Sequence, residues 1–290
     1  MPIALLGANG QLGREFLQTV QADLVPLSRA QGDLTRPLEL RRALEAIRPS
    51  VVLNCAAYTL VDQAETEPHA AFAVNAWGVR DLALICRDLD CTLVHISTNY
   101  VFGLDENRRT PYVETDLPGP TSTYGNSKLA GEYFVQTHCP KHFILRTCGL
   151  YGPTDPQSKR SNFVETILRK AATGQPLRLV NDQVCTPTST YDLVQAVAEC
   201  LRSEQYGLYH VTNSGACTWY EFARAILELT RQNTPISPIG TPDYPVPAKR
   251  PIYSVLEHQQ WIEHGFAPLR PWAEALSGYL RRRDKYLAAA

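Results

Sequence analysis

The segment Gly7-Ala8-Asn9-Gly10-Gln11-Leu12-Gly13 constrains this chain more than any other feature. Four apolar residues precede it and a helical pattern follows, so its glycines sit where a strand turns into a helix. Glycine permits the tight turn, lets backbone approach a phosphate and lets helix pack closely on strand. The first N–H groups of such a helix, with their positive partial charge, favour a bound anion. The spacing predicts a dinucleotide cradle made by Gly7, Asn9, Gly10, Gln11, Leu12 and Gly13.

The rest of the first half repeats this strand-to-helix logic. Ile3–Leu6, Leu24–Leu27, Val51–Asn54, 93–97 and 143–146 are short apolar runs bounded by polar or turn residues, and they read as strands. Between them, 11–20, 38–47, 70–89 and 124–137 place apolar residues three and four apart, as helices with one buried face do. The alternation predicts an α/β fold, a doubly wound parallel sheet with right-handed crossovers and helices on both faces. Beyond Arg146 the rhythm loosens. Helical patterns at 162–172, 191–201 and 218–230 are separated by loops. Six of the 21 prolines lie between Pro235 and Pro251, which predicts an ordered loop anchored by Tyr244, Val246, Ile252 and Tyr253. The expected division is a dinucleotide-binding domain over 1–146 and a smaller C-terminal substrate lobe over 147–290, with some of its helices packed back on the sheet.

Composition narrows the function classes. Lys and Arg number 28 against 29 Asp and Glu, which lacks the basic excess of a nucleic-acid binder. No apolar run approaches the ~18 residues that span a bilayer. The first residues lack the basic region of a secretory signal, so a cytoplasmic protein is expected. The eight cysteines include no Cys-x-x-Cys pair and the seven histidines no metal-ligand spacing; reduced thiols and no metal site are expected. Cys148 and Cys185 read as small buried hydrophobes and His95, inside an apolar strand, as a satisfied core histidine. Glu65 and Glu132 fit helix-terminus or surface positions at least as well as functional ones, and Arg281-Arg282-Arg283 fits a solvated helix face.

Ligands of parallel sheets gather at the carboxyl edge. There Thr98 ends the fourth strand, Ala56, Ala57 and Tyr58 follow the third, and Tyr124 and Lys128 share one helix face at i, i+4. Reduction of a carbonyl needs this set, because the alkoxide must be protonated as it forms. A tyrosine can supply the proton, but its ordinary pKa is about 10. A nearby lysine ammonium lowers that value, and Thr98 can hydrogen-bond the carbonyl oxygen. Ser28 and Arg29, after the second strand, offer a hydroxyl and a guanidinium to a ribose 2′-phosphate. They favour NADPH, while Asp33 leaves NADH open.

The blocks Val61-Asp62-Gln63-Ala64-Glu65 and Tyr124-Gly125-Asn126-Ser127-Lys128-Leu129-Ala130-Gly131-Glu132 are far more specific than the glycines. Together with Gly7 to Gly13, 54–60, 97–102, Asn181-Asp182-Gln183, Thr186-Pro187-Thr188 and Arg250-Pro251, they resemble the extended short-chain dehydrogenase/reductases. Within these, the chain is most similar to the dTDP-4-dehydrorhamnose reductase family, over nearly its whole length. The resemblance implies a Rossmann-type fold and NADPH-dependent reduction of the 4-keto group of a nucleotide-linked deoxysugar, with Thr98, Tyr124 and Lys128 catalytic. It extends the cofactor contacts to Leu34, Asn75, Tyr124 and Lys128, places Val61, Thr98, Asn99, Tyr100 and Gly149 at the substrate, and leaves a homodimer open. Two alternatives stand beside it: a nucleotide-sugar epimerase or dehydratase, and a non-catalytic NADP-binding subunit like that of methionine adenosyltransferase. Asn99-Tyr100 after Thr98 lacks the carboxylate a dehydratase uses. The chain departs from the family at Asn99, where Asp is usual, at Gly149, where Trp is usual, and at Cys185, where Gly is usual. Gly149 is expected to open space beside the sugar, with Tyr151 and Tyr100 as candidates to fill it.

Overall fold

The computed structural model describes residues 2–154 and 161–288, with side chains through Arg283. Strands β1 (Ile3–Leu6), β2 (Leu24–Leu27), β3 (Val51–Asn54), β4 (Thr92–Thr98) and β5 (His142–Thr147) form at the five expected apolar runs. They are parallel, with Leu6 level with Leu27 and Asn54, Asn54 with His95, and Thr98 with Thr147. Successive residues point to opposite faces, which is why the strands are apolar throughout. Leu6, Val52, Leu93 and Ile144 enter one buried cluster; Leu5, Leu53, Val94, Phe143 and Leu145 enter another on the far side.

The first half also forms α1 (Gln11–Thr19), α2 (Pro37–Ile47), α3 (Val61–Ala64), α4 (Pro68–Phe72), α5 (Gly78–Asp88) and α6 (Thr123–His138). The single helix expected over 70–89 is instead α4 and α5 joined by a π turn at Ala73–Trp77. That wider turn carries Asn75 inward, where it is 1% exposed.

The second half adds β6 (Leu150–Tyr151), β7 (Leu177–Val180), β8 (Val184–Cys185), β9 (Thr188–Ser189), β10 (Gly207–His210), β11 (Cys217–Thr218) and β12 (Ile236–Ile239). Its helices are α7 (Phe163–Ala171), α8 (Thr190–Cys200), α9 (Trp219–Leu229), α10 (Gln259–Glu263) and α11 (Trp272–Ala288). One of its strands joins the main sheet, whose order is β10-β5-β4-β3-β1-β2. Helix α8 packs Leu193, Val194 and Val197 into the cluster that holds Phe16 of α1. The remainder surrounds a smaller core of Tyr151, Ile167, Phe222 and Tyr279. No helix of the described residues is long and apolar enough to cross a membrane.

Three expectations need correction here. The proline-rich stretch contains strand β12, parallel to β7, with Pro238 inside it. Pro235 and Ile239 accept from the N–H groups of Leu177 and Asn181, so no Pro238 N–H is needed. Tyr244 is exposed and anchors nothing, whereas Tyr253 packs against buried Phe102 and Tyr112. Arg282 and Arg283 are not on a solvated face. The Arg283 guanidinium donates to both Glu165 oxygens, at 2.7 and 2.8 Å, and that of Arg282 lies 3.8 Å from the centre of the Tyr191 ring.

Candidate active site

The glycine turn leaves backbone as its facing surface. Gly7 has φ of +75°, and a Cβ there would lie 2.7 Å from the Ala56 nitrogen. Its carbonyl accepts from the Gly10 N–H at 2.9 Å, and a side chain at Gly13 would collide with it. Gly10 precedes α1 with no side-chain cap, so the first N–H groups of α1 face outward beside exposed Asn9. The Gln11 side-chain amide donates to the Leu150 carbonyl at 3.0 Å, and the Leu12 side chain is buried.

Ser28 and Arg29 stand exposed at the carboxyl end of β2, beside this turn. The Ser28 hydroxyl donates to Gln31 at 2.8 Å, and the Arg29 guanidinium, 87% exposed, reaches Asp33 at 3.4 Å. Burial raises the Asp33 carboxyl, but Thr35 and Arg29 outweigh it and hold the group below its ordinary value. Leu34 is a core side chain, leaving its backbone to meet a ligand. The amide of Asn75 accepts from the Tyr58 N–H at 2.8 Å and donates to the Tyr58 carbonyl and the Ser127 hydroxyl. Asn75 therefore fixes the 56–58 loop against α6, and the Tyr58 hydroxyl turns away to Glu67.

Helix α6 is pinned at its start. Ser122 caps it by accepting from the Gly125 N–H, and Glu65 accepts from the Thr123 N–H and hydroxyl at 2.8 and 2.9 Å. Gly125 lies so close to the Tyr100 carbonyl that any side chain would collide with it. That closeness sets Tyr124 edge-on to Tyr100, ring centres 5.7 Å apart. Thr98 accepts from the Tyr100 N–H at 3.2 Å and donates over a long 3.3 Å to Asn99, whose amide nitrogen donates to Ser254 at 2.8 Å.

Lys128, one turn beyond Tyr124, is 2% exposed; its nitrogen donates to the Ile96 carbonyl at 2.7 Å and lies 3.3 Å from His95 Nε2. Burial pulls this ammonium down to about 8, against the upward pull of Glu132 and Cys55. The dense surroundings of the partly buried Tyr124 push its phenol up to about 12, opposed by the Thr98 hydroxyl. The expectation that Lys128 lowers this phenol is not met by the chain's own groups, because β4 holds the lysine nitrogen and burial dominates. Glu132 is neither surface nor helix terminus: at 1% exposure it pairs with buried Arg146 and accepts from Ser97.

At the expected sugar end, Val61 opens α3 and the next residue, Asp62, accepts from Arg250 at 2.8 Å and the Ala248 N–H at 3.2 Å. Arg250 also acts on the Tyr100 phenol. The sequence gives Arg250 no role beyond its place in the Arg250-Pro251 segment that carries the family resemblance. Gly149 does not open a void. Its φ is +50°, and a Cβ would meet the Trp219 indole at 3.2 Å and Pro187 at 3.4 Å. Tyr151 cannot fill space there, being fully buried in the lobe core. Cys148, Cys185 and Cys217 are buried, with Cys185 opposite Cys217 on β8 and β11; Cys148 and burial push the Cys185 thiol up. No metal-ligand cluster occurs among the described residues. A separate groove between α7, α9 and α11, lined by Glu165, Arg169, Leu229 and Arg283 among others, holds none of these side chains.

Comparison with known proteins agrees with this fold. The RmlD substrate binding domain family matches residues 1–284. The spore coat polysaccharide biosynthesis protein SpsK of Bacillus subtilis is 39% identical over 97% of this chain and 98% of its own. A dTDP-4-dehydrorhamnose reductase of Mycolicibacterium smegmatis is 40% identical over 94% and 83%. The solved structure of the Bacillus anthracis dTDP-4-dehydrorhamnose reductase, in complex with NADP, superposes with a TM-score of 0.92 at 35% identity, covering 97% of this chain and 99% of that one.

Proposed function

The chain belongs to the RmlD substrate binding domain family, within the extended short-chain dehydrogenase/reductases, and from that premise we propose that it is an NADPH-dependent reductase of the 4-keto group of a nucleotide-linked deoxysugar. The observation that carries the reading is the Thr98 hydroxyl of β4 within hydrogen-bond reach of Tyr124 on α6, with Lys128 one turn on and bonded to Ile96 of β4, at the edge where the glycine turn opens. In this reading residues 1–146 bind the cofactor and the lobe from 147 onward shapes the sugar pocket.

The residues present fit the cofactor. A Cβ at Gly7 would strike the Ala56 backbone and one at Gly13 the Gly7 carbonyl, so the turn stays bare; a diphosphate would meet the backbone of Gly7, Asn9 and Gly10 and the first N–H groups of α1 at Gln11, Leu12 and Gly13. Ser28 and Arg29 take the 2′-phosphate, and the 56–58 loop and Lys128 take the ribose and nicotinamide. When bound, NADPH supplies the hydride that reaches the keto carbon. The chain's part is to hold and protonate the keto oxygen. Thr98 gives up its long bond to Asn99 and donates to that oxygen; Tyr124 donates its proton as negative charge builds there. A phenol near 12 is a weak acid; Lys128, one turn away, has its nitrogen held at the Ile96 carbonyl, and in this reading it serves the ribose and reaches the phenol only on leaving that carbonyl. A dehydratase would need a carboxylate beside Thr98, whereas Asn99 is an amide whose nitrogen is committed to Ser254. The eight unpaired thiols suit a reducing cytoplasm.

The test is loss of NADPH absorbance in the presence of dTDP-4-dehydrorhamnose. Tyr124→Phe is expected to bind NADPH normally and to lower kcat by ~10²–10⁴-fold. Undiminished turnover in that variant would remove Tyr124 from the mechanism, and an inert wild type that still binds NADP would favour the regulatory-subunit reading.

A further inference from the structure

Behind Lys128 lies a buried polar pair that the reductase reading does not use. Asn54 ends β3 and His95 sits level with it on β4; they are 1% and 0% exposed. The Asn54 side-chain oxygen accepts from the Ala56 N–H at 3.2 Å, which commits the carbonyl end of the amide. Its nitrogen therefore faces His95 Nδ1, at 3.0 Å. An amide NH₂ only donates, so Nδ1 carries a lone pair, and the single hydrogen of the neutral ring stands on Nε2. Burial and the Lys128 charge both keep that ring neutral.

Nε2 lies 3.3 Å from the Lys128 nitrogen. An ammonium has no lone pair to offer, so its hydrogens would oppose the ring N–H, whereas a neutral amine can accept from it. The bond to the Ile96 carbonyl at 2.7 Å suits either form. Other groups press on the lysine from each packed element. Glu132 on α6 and Cys55 after β3 favour the ammonium. Tyr124 stands one turn back on α6, and Arg146 on β5 has its charge matched by Glu132. Outside this set, His142 acts on the His95 ring.

We propose that Asn54 and His95 are positioning residues acting through Lys128: Asn54 locks His95 in the Nε2–H tautomer, so the ring presents a hydrogen to the lysine nitrogen and eases its loss of a proton. The part this plays in turnover rests on the reductase reading above; the tautomer does not.

The experiment is ¹⁵N NMR of the histidine-labelled full chain without cofactor, with His95→Gln assigning the ring, alongside NMR titration of Lys128 and the pH profile of kcat. Wild type should show a neutral His95 with Nε2 protonated across neutral pH. Asn54→Asp still offers an acceptor to Ala56, but it also accepts from the ring. The tautomer should invert, turn the lone pair toward Lys128, and raise the lysine titration and the basic limb of the pH profile by roughly one unit. His95→Gln can turn its amide oxygen to the lysine and should move both the same way. An Nδ1–H or charged ring in wild type overturns the proposal. So does an inverted tautomer in Asn54→Asp with an unmoved Lys128 titration, or, if that variant does not fold, an unmoved titration in His95→Gln. If no protein, wild type included, reduces a keto sugar, the reductase reading fails while the spectra still decide the tautomer.

Discussion

Glu132→Gln should be the most informative single change, because one carboxylate supports both the fold and the charge state of Lys128. Glu132 and Arg146 are 1% and 3% exposed, and the guanidinium donates to both carboxylate oxygens at 2.7–3.1 Å. The Gln variant keeps the shape but leaves a buried guanidinium without a counter-ion. Its remaining neighbours, His210 Nε2 at 3.4 Å and the Phe102 ring at 5.1 Å, cannot neutralise it. Removing one member of such a pair costs roughly 3–5 kcal/mol. At about 2 °C per kcal/mol for a chain of this size, the melting temperature should fall by roughly 6–10 °C. Urea melts should show the same loss as a lower midpoint with an unchanged slope. The paired variant Glu132→Leu with Arg146→Met removes both desolvation penalties and should recover most of the loss. The functional sign also follows. Glu132 pulls the Lys128 ammonium upward against the burial that leaves it at about 8. Without that negative charge Lys128 loses its proton at lower pH, and the basic limb of the kcat profile should move down. A loss below ~1 kcal/mol, or a double variant as unstable as the two singles summed, would refute the assignment of a buried, uncompensated charge.

Arg29→Ala should erase a preference for NADPH over NADH of at least ~1.4 kcal/mol, a tenfold ratio of affinities measured by titration, while leaving NADH binding nearly unchanged. Equal affinities in the unmutated protein would move the 2′ contact to Asp33. Lys128→Met should abolish turnover yet stabilise the fold. A lysine held at about 8 rather than 10.5 costs about 3 kcal/mol, of which the orphaned Ile96 carbonyl takes back ~1. Because the unfolded lysine binds the extra proton, the melting-temperature gain should be full below pH 8 and fade as pH rises toward 10.5. Gly149→Ala should lower stability by about 1–2 kcal/mol, from its φ of +50° and the contact with Trp219, and Gly149→Trp by more. A Gly149→Trp protein with an unchanged melting temperature would show that the indole has room after all.

The five strands of the first half were legible because a strand covered on both faces must be apolar at every position. What failed to show were features whose cause lies elsewhere in the chain. The period of 70–89 gives no hint that Tyr58 offers its N–H and carbonyl to Asn75 and so holds the helix open at a π turn. Pro238 argues against a strand only if its N–H is wanted, and β12 gives carbonyls to β7 instead. Arg282 and Arg283 look solvated until α7 and α8 bring Glu165 and Tyr191 beneath them. Strand β10, Gly207–His210, offers only Leu208 and Tyr209 between a glycine and a histidine, too little apolar run to be told from a loop.

The site divides along the same line. Thr98, Tyr124 and Lys128 could be placed together because sheet edge and helix period are geometric, and geometry follows from sequence spacing. Their electrostatics could not be read in the same way. Spacing puts a lysine one turn from a tyrosine, but whether its charge reaches the phenol depends on what else holds the nitrogen, and here Ile96 and His95 do. The reading of Gly149 failed for an equivalent reason. A missing side chain is not missing volume, because volume belongs to a place in the fold and any nearby residue can occupy it. Thr218 caps α9 in a reciprocal pair with Glu221, which fixes the helix start, and the tip of Trp219 stands over Gly149 from seventy positions away. The space at Gly149 should therefore follow the position of Trp219 at the start of α9, and Gly149 sets it only through the backbone shape that lets the indole approach.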